Sequence, residues 1–106
     1  MTHTSNTVPA VDLDLIRQQL EQQLQERLDI LADLAPRALP SVDPVGYQTV
    51  ASNRMVVAQI SAALNRLDAG TYGRCTRCGG PIAPARLEVL PYAAACIECQ
   101  SHADAA

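Results

Sequence analysis

From Leu13 onward, large aliphatic residues return at steps of three and four: Leu13, Ile16, Leu20, Leu24, Leu28, Leu31 and Leu34. That spacing draws one apolar stripe along a helix. The positions between them hold Gln, Glu, Arg and Asp, which are mostly good helix formers. The pattern predicts a helix over 11–35, with Asp12 and Asp14 in its first turn, where carboxylates suit the positive end of the helix dipole. A second pattern follows: Val50, Asn53, Val57, Ile60, Leu64 and Leu67 keep a strict 3-4-3-4-3 spacing. That is a coiled-coil seam, and the single Asn within it is a residue type that fixes register between helices. It predicts a helix over 45–69, stopped by Gly70 just beyond its end. Between the two patterns lie Pro36, Pro40 and Pro44, which cannot continue a helix interior. Residues 36–44 therefore read as a turn, and Asp43-Pro44 reads as an N-cap followed by a proline at the first helical position. Two amphipathic helices of similar length on a short connection fold back as an antiparallel hairpin. Both stripes are read as packing, which leaves the turn, projecting far from the rest of the chain, as the functional candidate.

Beyond Gly70 the periodicity stops. Pro81, Pro84 and Pro91 interrupt any long element. Arg86 to Leu90 is expected as a short strand or a turn of extended chain, and Cys96 to His102 as the start of a short terminal helix. Residues 1–10 are polar, end at Pro9 and read as a disordered leader; His3 within it carries no signal. The fold class is thus mainly α. The leader occupies 1–10, the hairpin 11–69 with its tip at 36–44, and the last unit, with a short C-terminal tail, 70–106.

That last unit holds all four cysteines, Cys75, Cys78, Cys96 and Cys99, as two Cys-x-x-Cys pairs with 17 residues between them. This spacing is that of a four-thiolate zinc site. A two-residue gap lets one tight turn present two sulfurs to one metal, and Gly79 supplies backbone freedom for such a turn. Two disulfides would suit a secreted chain, but nothing marks this chain as secreted. A redox Cys-x-x-Cys needs one pair and usually a βαβ context, which is absent. Catalytic zinc keeps a position open for water, whereas four cysteines fill all of them. The expectation is one structural Zn²⁺ per chain, bound by Cys75, Cys78, Cys96 and Cys99. His102 lies three residues after Cys99 and is read as a spectator.

Composition narrows the function. With 106 residues the chain is one small domain or less, and its last third has few large apolar residues, so it relies on the metal. The formal charge is −3, and four thiolates against one Zn²⁺ add a further ~−2. That sign argues against a protein held to DNA or membrane by bulk electrostatics. Arg74, Arg77 and Arg86 form a local basic cluster that is solvated or touches an acidic surface. There is no recognition helix with clustered basic residues, so no sequence-specific DNA binding is expected. No Ser/His/Asp or Cys/His set exists beyond the metal ligands, so the chain is not read as an enzyme. The N-terminus has no basic and apolar signal regions, and no apolar run is long enough to cross a bilayer; the expected location is cytoplasmic.

The residues Gly70-Thr-Tyr-Gly-Arg-Cys-x-x-Cys-Gly, Ile82, Arg86-Leu87-Glu88, Pro91 and Cys96-Ile-Glu-Cys-Gln100, behind a long helical hairpin, resemble the DksA/TraR family of bacterial zinc-finger regulators of transcription. The resemblance covers most of residues 11–100. It implies a protein that binds RNA polymerase, with the hairpin entering the secondary channel, acidic residues at its tip near the catalytic centre, and an altered lifetime of the open promoter complex. Better-studied members carry an Asp-Pro-x-Asp-x-Ala tip. Here Asp43 keeps the first acid, Gly46 stands at the second and Gln48 at the alanine. The stretch from tip to Cys75 is shorter than in long members. Some relatives respond to ppGpp through basic residues at positions matched here by Gln59, Leu90 and Gln100. None of these is basic, which argues against ppGpp dependence.

The leading reading is therefore a non-enzymatic regulator that docks on RNA polymerase through hairpin and zinc finger, with Asp43 as a contact at the tip. The alternative is a redox- or zinc-responsive structural module acting through another protein partner, since oxidation of bound thiolates releases the metal. A free-standing zinc ribbon for nucleic acid is disfavoured by the negative charge and by the scarcity of aromatics for base stacking.

Overall fold

The computed structural model describes residues 12–105. The expected leader at 1–10, with His3, lies outside the described residues. Helix α1 spans Leu13–Leu34. Asp12 caps it, its carboxylate accepting from the backbone N–H groups of Asp14 and Leu15 at 3.1 and 3.2 Å. A single 3₁₀ turn, Ala35–Arg37, carries Pro36 and ends the run. Helix α2 spans Pro44–Ala69 and starts as its sequence predicts, with Asp43 as N-cap and Pro44 at the first position. It ends on Gly70 at φ 77°, a left-handed conformation that glycine adopts without Cβ strain. The N–H of Thr71 then reaches back to the Arg66 carbonyl at 2.9 Å, using one of the orphan carbonyls of the last turn.

The two helices lie antiparallel. Arg17 on α1 pairs with Asp68 on α2 at 2.8 Å near the base, and Arg27 reaches Asn53 at 2.8 Å further out. Leu20, Ile60 and Ala63 are fully buried at their contact, flanked by Ile16, Leu24, Val56, Leu64 and Leu67. The α1 stripe is unevenly covered: Leu13 is 51% and Leu28 42% exposed. A hairpin offers one covering helix and no third layer, so residues at the edge of an apolar stripe stay wet. Asn53 is buried within the seam. Its side-chain oxygen accepts from Arg27, and its amide donates to the Thr49 carbonyl at 2.9 Å. A buried amide satisfied from both helices favours this alignment, because a slip would strand it without partners.

Two short helices complete the fold. Helix α3 spans Pro84–Val89 and α4 spans Ile97–Ala105. The expected strand or extended turn at Arg86–Leu90 is corrected: these residues belong to α3 and its end. Among the described residues there is no strand, only an isolated bridge between Arg74 and Pro81. Extended chain here would have no neighbour to share its N–H and C=O groups. One helical turn begun by Pro84 satisfies them locally and buries Leu87. A second small core collects Cys75, Ile82, Leu87, Ala93 and Ala95, and Tyr72 packs against both cores.

Candidate metal centre

The first Cys-x-x-Cys is a tight knuckle. Cys75 and Gly80 pair through the Cys75 N–H at 2.7 Å, Gly79 donates to the Cys75 carbonyl at 2.9 Å, and Gly79 sits at φ 76°, where a Cβ would be strained. Backbone N–H groups point at sulfur: Arg77 to Cys75 Sγ and Gly80 to Cys78 Sγ, each at 3.4 Å, with those of Cys96 and Cys78 also acting on Cys75. The second pair is built differently. Cys96 immediately precedes α4 and Cys99 lies in its first turn, so both sulfurs stand at the positive end of that helix.

The structure brings all four predicted ligands together. Their Sγ atoms lie within 4.8 Å of one another, and Cys78 Sγ stands 3.9 Å from Cys96 Sγ. A tetrahedron with Zn–S bonds of ~2.3 Å has edges of about 3.8 Å. All four are free cysteines, and one shared cluster fits one ion rather than two disulfides. The donor set suits zinc: soft thiolates, four of them, with N–H donors aimed at two. The thiols divide sharply. Backbone N–H donors, that of Cys96 foremost, pull Cys75 down to about 6. Side-chain hydrogen bonds with the neighbouring thiols, Cys96 first and then Cys75, push Cys99 up to about 12. Four thiolates at this separation repel one another strongly, and a divalent cation at their centre removes that conflict.

Other sequence-marked residues separate. His102 is exposed on α4 and outside the four-thiol cluster. The three arginines differ in what they meet: Arg74, exposed, donates to the Gly79 carbonyl at 3.2 Å, Arg86, half-buried, donates to the Ala95 carbonyl at 3.1 Å, and Arg77 is exposed. At the far end, Asp43 accepts from the Gly46 N–H at 2.9 Å. Around it Leu39, Val42 and Val45 are 54, 74 and 76% exposed, so the tip surface is largely apolar. Gln59, Leu90 and Gln100 share one groove of about 570 Å³ where hairpin and finger meet, and the cations beside them, Arg66 and Arg86, are engaged on backbone carbonyls.

Sequence reasoning missed Arg66 and Tyr72. Arg66 Nη2 reaches the carbonyls of Tyr92 and Ala93 at 3.4 and 3.3 Å, and the Tyr72 hydroxyl donates to the Pro91 carbonyl at 2.8 Å. Burial lowers the Arg66 pKa, with Tyr72 partly opposing, and burial raises that of Tyr72. These contacts link residues 19 to 27 apart, beyond the reach of any local pattern.

Fold and site together define a two-helix hairpin carrying a four-cysteine zinc finger at its base. The family model for the prokaryotic dksA/traR C4-type zinc finger matches residues 70–104. The RNA polymerase-binding transcription factor DksA of Caulobacter vibrioides is 36% identical over 90 residues, covering 82% of this chain and 63% of that protein. DksA of Haemophilus influenzae is 39% identical over 51 residues, 48% of this chain and 35% of that one. The solved structure of transcription factor DksA2 from Pseudomonas aeruginosa superposes with TM-score 0.57 at 28% identity, covering 87% of this chain and 79% of that one. The chain belongs to the DksA/TraR C4-type zinc-finger family. It spans 63% of the length of the Caulobacter relative.

Proposed function

We propose that the protein is a non-enzymatic regulator of transcription that binds RNA polymerase, and that one structural Zn²⁺, held by Cys75, Cys78, Cys96 and Cys99, keeps its finger folded. The observation that carries this reading is the 90-residue match to a protein named for polymerase binding, which covers 82% of the chain and so extends far beyond the metal motif. The proposed division of labour follows the fold: the finger at the base, the hairpin as a reach of roughly 39 Å along α2 at 1.5 Å per residue, and the tip around Asp43 as a contact. No helix among the described residues is long and apolar enough to cross a membrane, and a cytoplasmic location is part of the proposal. Nor do the cations in the groove near Gln59, Leu90 and Gln100 favour a multiply charged nucleotide, because both are already committed to carbonyls.

The test uses purified zinc-loaded protein and RNA polymerase holoenzyme from the same bacterium. Binding should appear as comigration in size-exclusion chromatography, and the lifetime of open complexes on a competitor-challenged promoter should change with added protein. No comigration and no change in lifetime, with folded zinc-loaded protein, refutes the reading.

A further inference from the structure

The segment Pro91–Ala95 runs from the end of α3 to Cys96 and belongs to no helix. Its five consecutive carbonyls all accept from elsewhere. Pro91 takes the Tyr72 hydroxyl at 2.8 Å, while Tyr92 and Ala93 share Arg66 Nη2. Ala94 takes the Thr76 N–H of the first knuckle at 2.8 Å, and Ala95 takes Arg86 Nε at 3.1 Å. The strap that delivers Cys96 is thus held by α2, by the chain just beyond it, by the first knuckle and by α3. Local backbone pairing fixes the first knuckle. The second pair is held by its own helix, by this strap and by packing against the small core of the finger.

We propose that Arg66, a residue of the hairpin, is a positioning residue for the metal: by holding the Pro91–Ala95 strap it sets where Cys96 and Cys99 stand. Metal retention and the base of the hairpin are thereby coupled. The inference rests on the reading of the four cysteines as a zinc site. The placement of Arg66 supports it. The side chain is half-buried and forms no ion pair among the described residues, and its Nε is buried without a hydrogen-bond partner. Such burial costs stability that an apolar side chain of the same length would not incur. A methionine-like stem would fill the same space, whereas only the guanidinium reaches two carbonyls of the strap.

The experiment compares zinc transfer from the full chain to excess chromogenic chelator, and the ligand-field bands of the Co²⁺-substituted protein, across four forms. Arg66→Met keeps the apolar stem and removes the guanidinium. It should release zinc roughly tenfold faster, the scale seen when supporting partners of metal ligands are lost, and should shift or weaken the Co²⁺ bands while far-UV circular dichroism stays near wild type. Arg66→Lys should fall between. Arg17→Met removes the Arg17–Asp68 pair at the same end of the hairpin but touches no strap carbonyl, and should release zinc at the wild-type rate. If Arg66→Met does not fold, Arg86→Met removes the donor on Ala95 from the other side and should show the same acceleration. The proposal is overturned if the folded variants, Arg66→Met or in its place Arg86→Met, lose zinc no faster than Arg17→Met. A wild-type protein with no tetrathiolate Co²⁺ spectrum overturns the zinc reading itself, and this coupling with it.

Discussion

The hairpin tip offers a test in which the sign of a substitution depends on its neighbour. Asp43 Oδ1 accepts from the Gly46 N–H at 2.9 Å, and a Cβ placed on Gly46 would collide with Asp43 Oδ2 and stand 2.7 Å from its Cγ. The carboxylate must therefore move when Gly46 becomes any other residue, and the expected result is that this movement opens the cap. In wild type, Gly46→Ala gains roughly 0.5–1 kcal/mol from helix propensity and loses about 1 kcal/mol of capping, so the net change is near zero. In an Asp43→Ala background the cap is already gone, and Gly46→Ala should stabilise by the full ~0.5–1 kcal/mol. The coupling energy is then about 1 kcal/mol, some 4–8 °C in Tm for a domain of this size. A double-mutant cycle by urea denaturation with far-UV circular dichroism measures it directly. If Gly46→Ala stabilises both backgrounds equally, the carboxylate does not lie over Gly46 and the steric argument fails. The same contact bears on function: Gly46→Asp, which supplies the second acid of the better-studied tips, should add charge only by displacing the first acid from its cap.

Asp43→Asn should hold stability within a few tenths of a kcal/mol, since Asn caps about as well as Asp, and should weaken any effect on open complexes while polymerase still binds; unchanged transcription would leave Asp43 a helix cap and nothing more. Cys78→Ser should abolish stoichiometric zinc by elemental analysis and unfold much of residues 71–100, with part of the hairpin's helicity kept by the leucine seam; full zinc in that variant would break the four-thiolate assignment. Ile60→Ala, at a fully buried position against Leu20 and Ala63, should cost ~2–5 kcal/mol in chemical denaturation, and a loss under 1 kcal/mol would mean the hairpin packs elsewhere. Zinc retention should fall as pH drops: the metal needs every ligand deprotonated, and Cys99, whose thiol holds its proton up to about 12, must give it up on binding, so protons compete with zinc increasingly toward acid. Release followed by chelator across a pH series checks the sign.

Local chemistry was legible in the chain. Both long helices follow from the 3-4 recurrence of aliphatic residues. The ends of the second follow from Asp43-Pro44 and Gly70, because a cap is satisfied by groups two to four residues away and needs no distant partner, whereas Asp12, expected inside the first turn, is the cap of the first. The approach of the four sulfurs follows from two Cys-x-x-Cys turns, since chemistry this specific leaves one ion to share. What the tertiary structure decided lies at long sequence separation. It chose a helix for Pro84–Val89, where no second strand was available to pair. It left Leu13 and Leu28 wet although they share a stripe with buried Leu20, because a lone hairpin covers only the centre of that stripe. It gave Asn53 its partner in Arg27, turned Arg86 onto the Ala95 carbonyl, and carried Arg66 onto the strap before Cys96. Periodicity states which face of a helix is apolar; which polar side chain meets which carbonyl across the fold depends on how the elements dock, and that relation is written in no single stretch of the chain.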